Sequence, residues 1–187
     1  MADFISGFIT AMAGGGARTN LMMVTMTNNA YAGFTDWTYM CKASNIPGST
    51  ITPIEVPYFG RNVKVAGESR EFGPLTTTVV NDEGRAIYQG MLLWMADMNH
   101  PSSNLSKKNL YGSSGSGSRG LYCADIELKM FKKDGTDDQT WKFANCWPSN
   151  MSAIDLNWDS VNTIQEFTID WQYDYYLHAQ AAITAAD

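Results

Sequence analysis

The stretch Glu166-Phe-Thr-Ile-Asp-Trp-Gln-Tyr-Asp-Tyr175 holds carboxylates at Glu166, Asp170 and Asp174. Between them, Phe167, Ile169, Trp171, Tyr173 and Tyr175 alternate strictly. Side chains alternate across a strand, so the spacing predicts one long β-strand with an aromatic, buried face and an acidic, wetted face. The chemistry this offers is electrostatic. Three carboxylates with no base among them repel a polyanion, and such a face suits a passage through which nucleic acid slides without sticking. Asp125 and Glu127, on the outward face of a strand over 122–131, are second candidates for the same role.

The residues that would support covalent or acid–base catalysis do not form a constellation. His100 precedes a proline at a helix end, and His178 lies close to the C-terminus. No Gly-x-Ser-x-Gly elbow is present. Asp137 with Asp138, and Asp155 with Asp159, fall in or near turns, where turn chemistry accounts for them. Gly115-Ser-Gly117-Ser-Arg-Gly120 matches a dinucleotide-binding pattern, but a polar loop precedes it and a strand follows, the reverse of the required context. The cysteines, Cys41, Cys123 and Cys146, are odd in number and widely spaced, which fits neither a disulfide framework nor a zinc site. No enzyme activity, metal or cofactor is expected.

Charge and composition point to assembly. Charged residues make up 17% and hydrophobic residues 44% of 187 residues. The charged share is below the usual quarter for a soluble domain. Eleven Met and six Trp add to the impression of a surface that meets other protein. A net charge of −6 argues against a protein that grips DNA. A β-sandwich with Trp141, Trp147, Trp158 and Trp171 also admits a carbohydrate-binding module with a stacking platform, as an alternative of another class.

The elements that position these residues follow from periodicity. Phe4, Ile5, Phe8, Ile9 and Met12 form one helical stripe, read as an inter-subunit docking helix within residues 1–17, and Gly14-Gly15-Gly16 hinges it to the body. No run reaches the length of a membrane span, so no membrane anchor is expected. Residues 20–27 and 35–43 read as two strands joined by a turn. Residues 51–56 and 61–67 are extended, with Pro53 and Pro57 confining the first to an edge or loop. Residues 68–71 read as a charged loop. Residues 75–80 form a Thr- and Val-rich strand. Asn81-Asp82 offers an N-cap to a main helix over 83–98. A Ser/Gly loop occupies 102–120. Strands follow at 122–131, 140–146, 153–157 and 163–175, with an Asp134-Gly135 hairpin turn. The expected fold is mostly β: a β-sandwich or barrel over 18–176 with one flanking α-helix, a short N-terminal helix and a C-terminal tail over 177–187.

Several short words go beyond pattern: Cys41-Lys-Ala43 with Pro47; Pro57-Tyr-Phe-Gly-Arg-Asn-Val-Lys-Val-Ala-Gly-Glu68; Val79-Val-Asn-Asp-Glu83; Trp147-Pro-Ser-Asn150; Leu156-Asn-Trp-Asp-Ser160; and Ile164-Gln-Glu-Phe167. In order and spacing the chain resembles the tail tube proteins of contractile-tailed, T-even-like bacteriophages, from about residue 18 to 176. The resemblance implies a structural virion protein that forms hexameric rings, stacked into the inner tail tube. It implies a contractile sheath outside and baseplate and tail-terminator proteins at the ends. DNA would pass down the lumen without specific binding, and assembly would take place in the host bacterial cytoplasm. Tubes of type VI secretion and phage-like bacteriocins share the fold and are the nearer alternative. Under this reading Glu166, Asp170, Asp174, Asp125 and Glu127 line the lumen. The alternation establishes that the 166–174 face is wetted and leaves open which side of the wall it occupies.

Overall fold

The computed structural model describes residues 2–12, 14–27, 34, 36–106 and 122–178. The 28–33 turn, the Ser/Gly loop from 107 and the tail from 179 lie outside the described residues. Seven strands form one continuous antiparallel path: β1 (Met22–Thr27), β8 (Ala124–Phe131), β9 (Asp137–Met151), β10 (Glu166–Gln172), β7 (Leu75–Val80) and β2 (Cys41–Ser44), with β11 (Tyr175–His178) also on β9. The sheet bends along β9. The first half of β9 pairs with β8 and β11, and its second half pairs with β10.

Each strand of this path reads as the alternation requires. Leu75, Thr77 and Val79 are buried on one face of β7, and Phe167, Ile169 and Trp171 on the same face of β10. The concave side is closed by α2 (Trp37–Met40) and α3 (Ala86–Met98). Tyr88 meets Phe167 edge-on at 5.4 Å, and Trp171 meets Trp37 at 5.8 Å and Trp94 at 5.7 Å. The indole of Trp171 donates to Thr77 Oγ1 at 2.8 Å, and that of Trp94 to the Tyr122 carbonyl at 2.8 Å. Two of these three core indoles thus have partners, whereas the buried Nε1 of Trp37 has none among the described residues.

Several sequence expectations shift. Residues 20–27 and 35–43 do not pair with each other: β1 pairs β8, β2 pairs β7, and part of the second segment is helical. Local strand propensity carries no information about a partner a hundred residues away. The main helix starts at Ala86 instead of Glu83, because Asp82 makes a capping turn. Its Oδ1 accepts the Ala86 N–H at 3.0 Å while Arg85 takes a left-handed conformation. Residues 153–157 form no strand.

The 163–175 strand is shorter than expected and slips. Its alternation holds from Phe167 through Tyr173. Then Tyr175 turns outward and Tyr176 inward. The register explains this. Trp171 faces Pro148 and Tyr176 faces Phe143, with one interruption at the level of Asn145 and Asp174. Asn145 has φ +57°, a left-handed bulge residue that shifts the inward positions of β9 from Trp141 and Phe143 to Cys146 and Pro148. Both neighbouring strands slip at one height, so their faces stay matched. His178 lies in β11, so the sheet extends past the expected domain end at residue 176.

A long arm connects the adjacent strands β2 and β7. It consists of two nested ladders, β3 (Ser49–Ile51) with β6 (Arg70–Phe72), then β4 (Ile54–Tyr58) with β5 (Arg61–Val65). At the break between the ladders a Cβ on Gly67 would lie 2.1 Å from the Thr52 carbonyl oxygen, so only glycine permits the crossing. Phe59 (φ +45°) and Gly60 (φ +74°) close the tip, as a two-residue primed turn demands. The root is pinned by Tyr173, whose hydroxyl donates to the Gly73 carbonyl at 2.6 Å, and by Phe72 against Tyr176 at 5.1 Å.

Candidate assembly surfaces and the polar face

The five carboxylates singled out above all lie on the outer, convex side of the bent sheet, and none stands bare. Glu166 pairs with Lys42 of β2. Asp170 accepts from Thr76 Oγ1 at 2.9 Å and Asn150 Nδ2 at 3.0 Å. Asp174 accepts the Asn145 side-chain amide at 2.8 Å, and Asp125 accepts the Asn145 backbone N–H at 3.1 Å. Glu127 sits 3.6 Å from Lys142 and 3.8 Å from Lys129. The expectation of an acidic face without a base holds for one strand and fails for the sheet, because neighbouring strands bring lysines alongside. Asp125 and Asp174, in particular, converge on the bulge and hold Asn145 in its left-handed conformation. A cleft of about 270 Å³ opens on this side between Glu127, Lys142, Tyr175 and Leu177.

Three other surfaces expose large apolar side chains. On α1 (Ala2–Ala11) and just after it, Phe4, Ile5, Phe8, Ile9 and Met12 are all exposed, so the predicted stripe exists and is uncovered within the chain. Gly15 and Gly16, at φ +75° and +73°, follow it in the left-handed conformation that ends the helix. The arm is the second surface. Ile54, Val56 and Tyr58 share one face with Val63 and Val65, and Glu55, Asn62 and Lys64 occupy the other. All are exposed, and Phe59 at the tip is 91% exposed. The third is the 153–165 loop, where Leu156, Trp158, Val161 and Ile164 project, Trp158 completely. Its ends are stapled to the sheet: Ser152 and Thr168 exchange hydrogen bonds, and the Asn81 N–H donates to the Gln165 carbonyl at 2.9 Å.

The arm was absent from the expected site residues. Its signal was present, namely Ile54, Val56 and Tyr58 alternating, then Phe59-Gly60, then Val63 and Val65, but Pro57 obscured the pairing. Proline has no N–H to give, and on the outer edge of a two-stranded ladder none is needed. Trp171 and Trp141 are buried and Trp147 is half-buried, so the four tryptophans form no stacking platform. Burial pushes the Cys41 thiol up to about 12 and the Cys146 thiol higher still, which makes both poor nucleophiles. Among the described residues no cluster of His, Cys, Asp and Glu is suited to a metal, and no helix is long and apolar enough to cross a membrane.

The fold is shared with components of contractile injection machines. The anti-feeding prophage cap superposes with a TM-score of 0.58 at 16% identity, covering 87% of this chain and 90% of that one. A subunit of the PVC sheath–tube complex, an extracellular contractile injection system in its extended state, gives 0.58 at 15% identity over 92% and 96%. By sequence, the family described as phage tail tube protein matches residues 13–179, and the chain belongs to that family. It is 28% identical to the tail tube protein gp19 of Enterobacteria phage T4 over 86% of this chain and 90% of that protein. It is 25% identical to the tail tube protein of Serratia phage KSP90 over 90% and 93%. Its role is thus structural: it is a tube subunit of a contractile-tailed phage and a component of the virion tail.

Proposed function

We propose that copies of this chain form hexameric rings that stack head to tail into a hollow tube, with the convex polar face of the sheet turned to the lumen. The tube carries DNA into the host cell. A contractile sheath surrounds it, baseplate and terminator proteins close its ends, and it assembles in the host cytoplasm. The observation that carries this reading is the set of uncovered apolar surfaces on α1, the arm and the 153–165 loop. Contiguous exposure of this kind marks surfaces buried in an assembly. The strands β1 and β2 end the hydrogen-bonded path, and joining neighbouring subunits at such edges removes an aggregation hazard. A ring-to-ring contact between different surfaces does not close on itself and so makes a filament.

The polar face suits a conduit. Five carboxylates interleaved with Lys42, Lys129 and Lys142 leave it mildly acidic and well hydrated. Phosphates are then repelled over roughly a Debye length, about 8–10 Å at physiological salt, and find no unpaired lysine to hold them. Asp125 and Asp174 serve the bulge. Glu166 and Glu127 are offset by lysines, whereas Asp170 is held by the neutral Thr76 hydroxyl and Asn150 amide and keeps its charge, so Asp170 carries most of this effect. Negative-stain microscopy of the purified chain at high concentration tests assembly: rings and hollow filaments are expected, and a strict monomer would refute it. Replacing Glu166 and Asp170 together with Lys tests the lumen. Intact tubes with slowed or trapped DNA ejection are expected, and unchanged ejection would place this face elsewhere.

A further inference from the structure

We infer that the tip of the arm docks onto the 153–165 loop of a second copy of this chain, and that this contact joins one ring to the next. The inference rests on the stacked-ring reading and adds the two surfaces that meet.

The first argument is position. β7 runs from Leu75 to Val80 and β10 runs antiparallel to it, from Glu166 opposite Val80 to Trp171 opposite Leu75. The arm leaves the sheet at the Leu75 end, between β2 and β7. The 153–165 loop enters it at the Glu166 end. The points where the arm and the loop join the sheet therefore lie at its opposite ends, about 20 Å apart along the seven-residue β10, and the arm carries its tip beyond its own end. A subunit cannot bring them together within itself, whereas a translated copy can. This is the head-to-tail relation that propagates a filament.

The second argument is complementarity. At the tip, Tyr58 and Phe59 stack edge-on at 4.8 Å, and Arg61 faces Tyr58 across the turn at the end of the apolar row. Arg61 forms no ion pair among the described residues, whereas Lys64 is paired with Glu55. The loop offers Trp158, Leu156 and Val161, flanked by Asp155 and Asp159, and holds no basic residue. Aromatic side chains with one cation thus meet an aromatic side chain with two carboxylates. An arginine beside tryptophan and aspartate satisfies both its charge and its flat face.

The third argument is order. The loop is stapled at Ser152–Thr168 and Asn81–Gln165, and the arm is pinned at its root by Tyr173 and Gly67. Both surfaces are held before they meet, so little freedom is lost on contact.

Charge exchange on the full chain tests the pairing. Arg61→Glu and the pair Asp155→Lys with Asp159→Lys should each stop assembly at rings, read by negative stain and by mass in solution. Combining all three should restore filaments. Rings persisting in each variant show that the fold and ring closure are intact. Independently, tubes assembled from a mixture of Phe59→Cys chains and Trp158→Cys chains should yield a disulfide-linked dimer absent from either variant alone. Filaments that form normally with Arg61→Glu and with the paired lysine substitutions, or tubes without that dimer, would overturn the contact. A wild-type chain that makes neither rings nor tubes would instead refute the assembly reading beneath it.

Discussion

β10 and the arm are built from the same material and end in opposite conditions. Both alternate apolar and polar residues, and both carry aromatics. On β10, Phe167, Ile169 and Trp171 are fully buried, and the Trp171 indole N–H has a partner. On the arm, Ile54, Val56, Tyr58, Val63 and Val65 form an equally regular row, and every one is exposed. The difference is what each strand has to lean on. β10 has a strand on either side and a helix over its inner face, whereas β4 and β5 have only each other. An isolated two-stranded ribbon cannot bury either face. The row on the arm therefore reports burial that another chain supplies.

Substitutions break this comparison in graded steps. Trp171→Ala removes the ring shared by Trp37 and Trp94, and about 3–5 kcal/mol of stability should be lost, measurable by denaturant unfolding. Asn145→Ala puts a residue that tolerates the left-handed region less well than asparagine at φ +57° and removes the side-chain amide that donates to Asp174, for a cost of about 1–3 kcal/mol. Asn145→Gly, which keeps the backbone free, should cost visibly less, and equal costs would mean that the backbone conformation contributes little.

Tyr173→Phe should cost about 1 kcal/mol by removing the bond to Gly73. It should also change the alkaline limb of the stability profile. Burial pushes the Tyr173 phenol up from 10 to about 12. The folded state therefore favours the neutral phenol, and this contribution is complete below pH 10 and lost as pH rises through about 12. The Phe variant should lose less stability over that window than the wild type. A parallel fall in both proteins would remove Tyr173 from the account. The smallest effect on the subunit is expected from Val63→Asp in the arm. Unfolding should shift by no more than about 0.5 kcal/mol while tubes fail to form. A large loss of stability there would mean that the arm packs against its own chain.

Much of the fold was legible because local alternation reflects local burial. The 75–80 strand matches its expected limits, and the inward positions of 167–173 follow their pattern residue by residue. The N-terminal helix and its exposed apolar stripe were readable for the same reason. What failed was pairing and neighbourhood. β1 takes a partner about a hundred residues away, Glu166 of β10 meets Lys42 of β2, and Glu127 of β8 meets Lys142 of β9 as well as Lys129 of its own strand. Asn145 looked like any polar residue between Ala144 and Cys146, yet it sets the slip that turns Tyr175 outward.

The sequence by itself determined the β character, the buried aromatic face, the wetted acidic one and the family's short words, all of which depend on residues close together in the chain. Tertiary structure alone decided which partner each carboxylate meets, where the sheet bends, and that the arm and the 153–165 loop stand at opposite ends of one sheet. Strand register is set by contacts between distant segments, and a period of two along a strand is silent about what lies beside it.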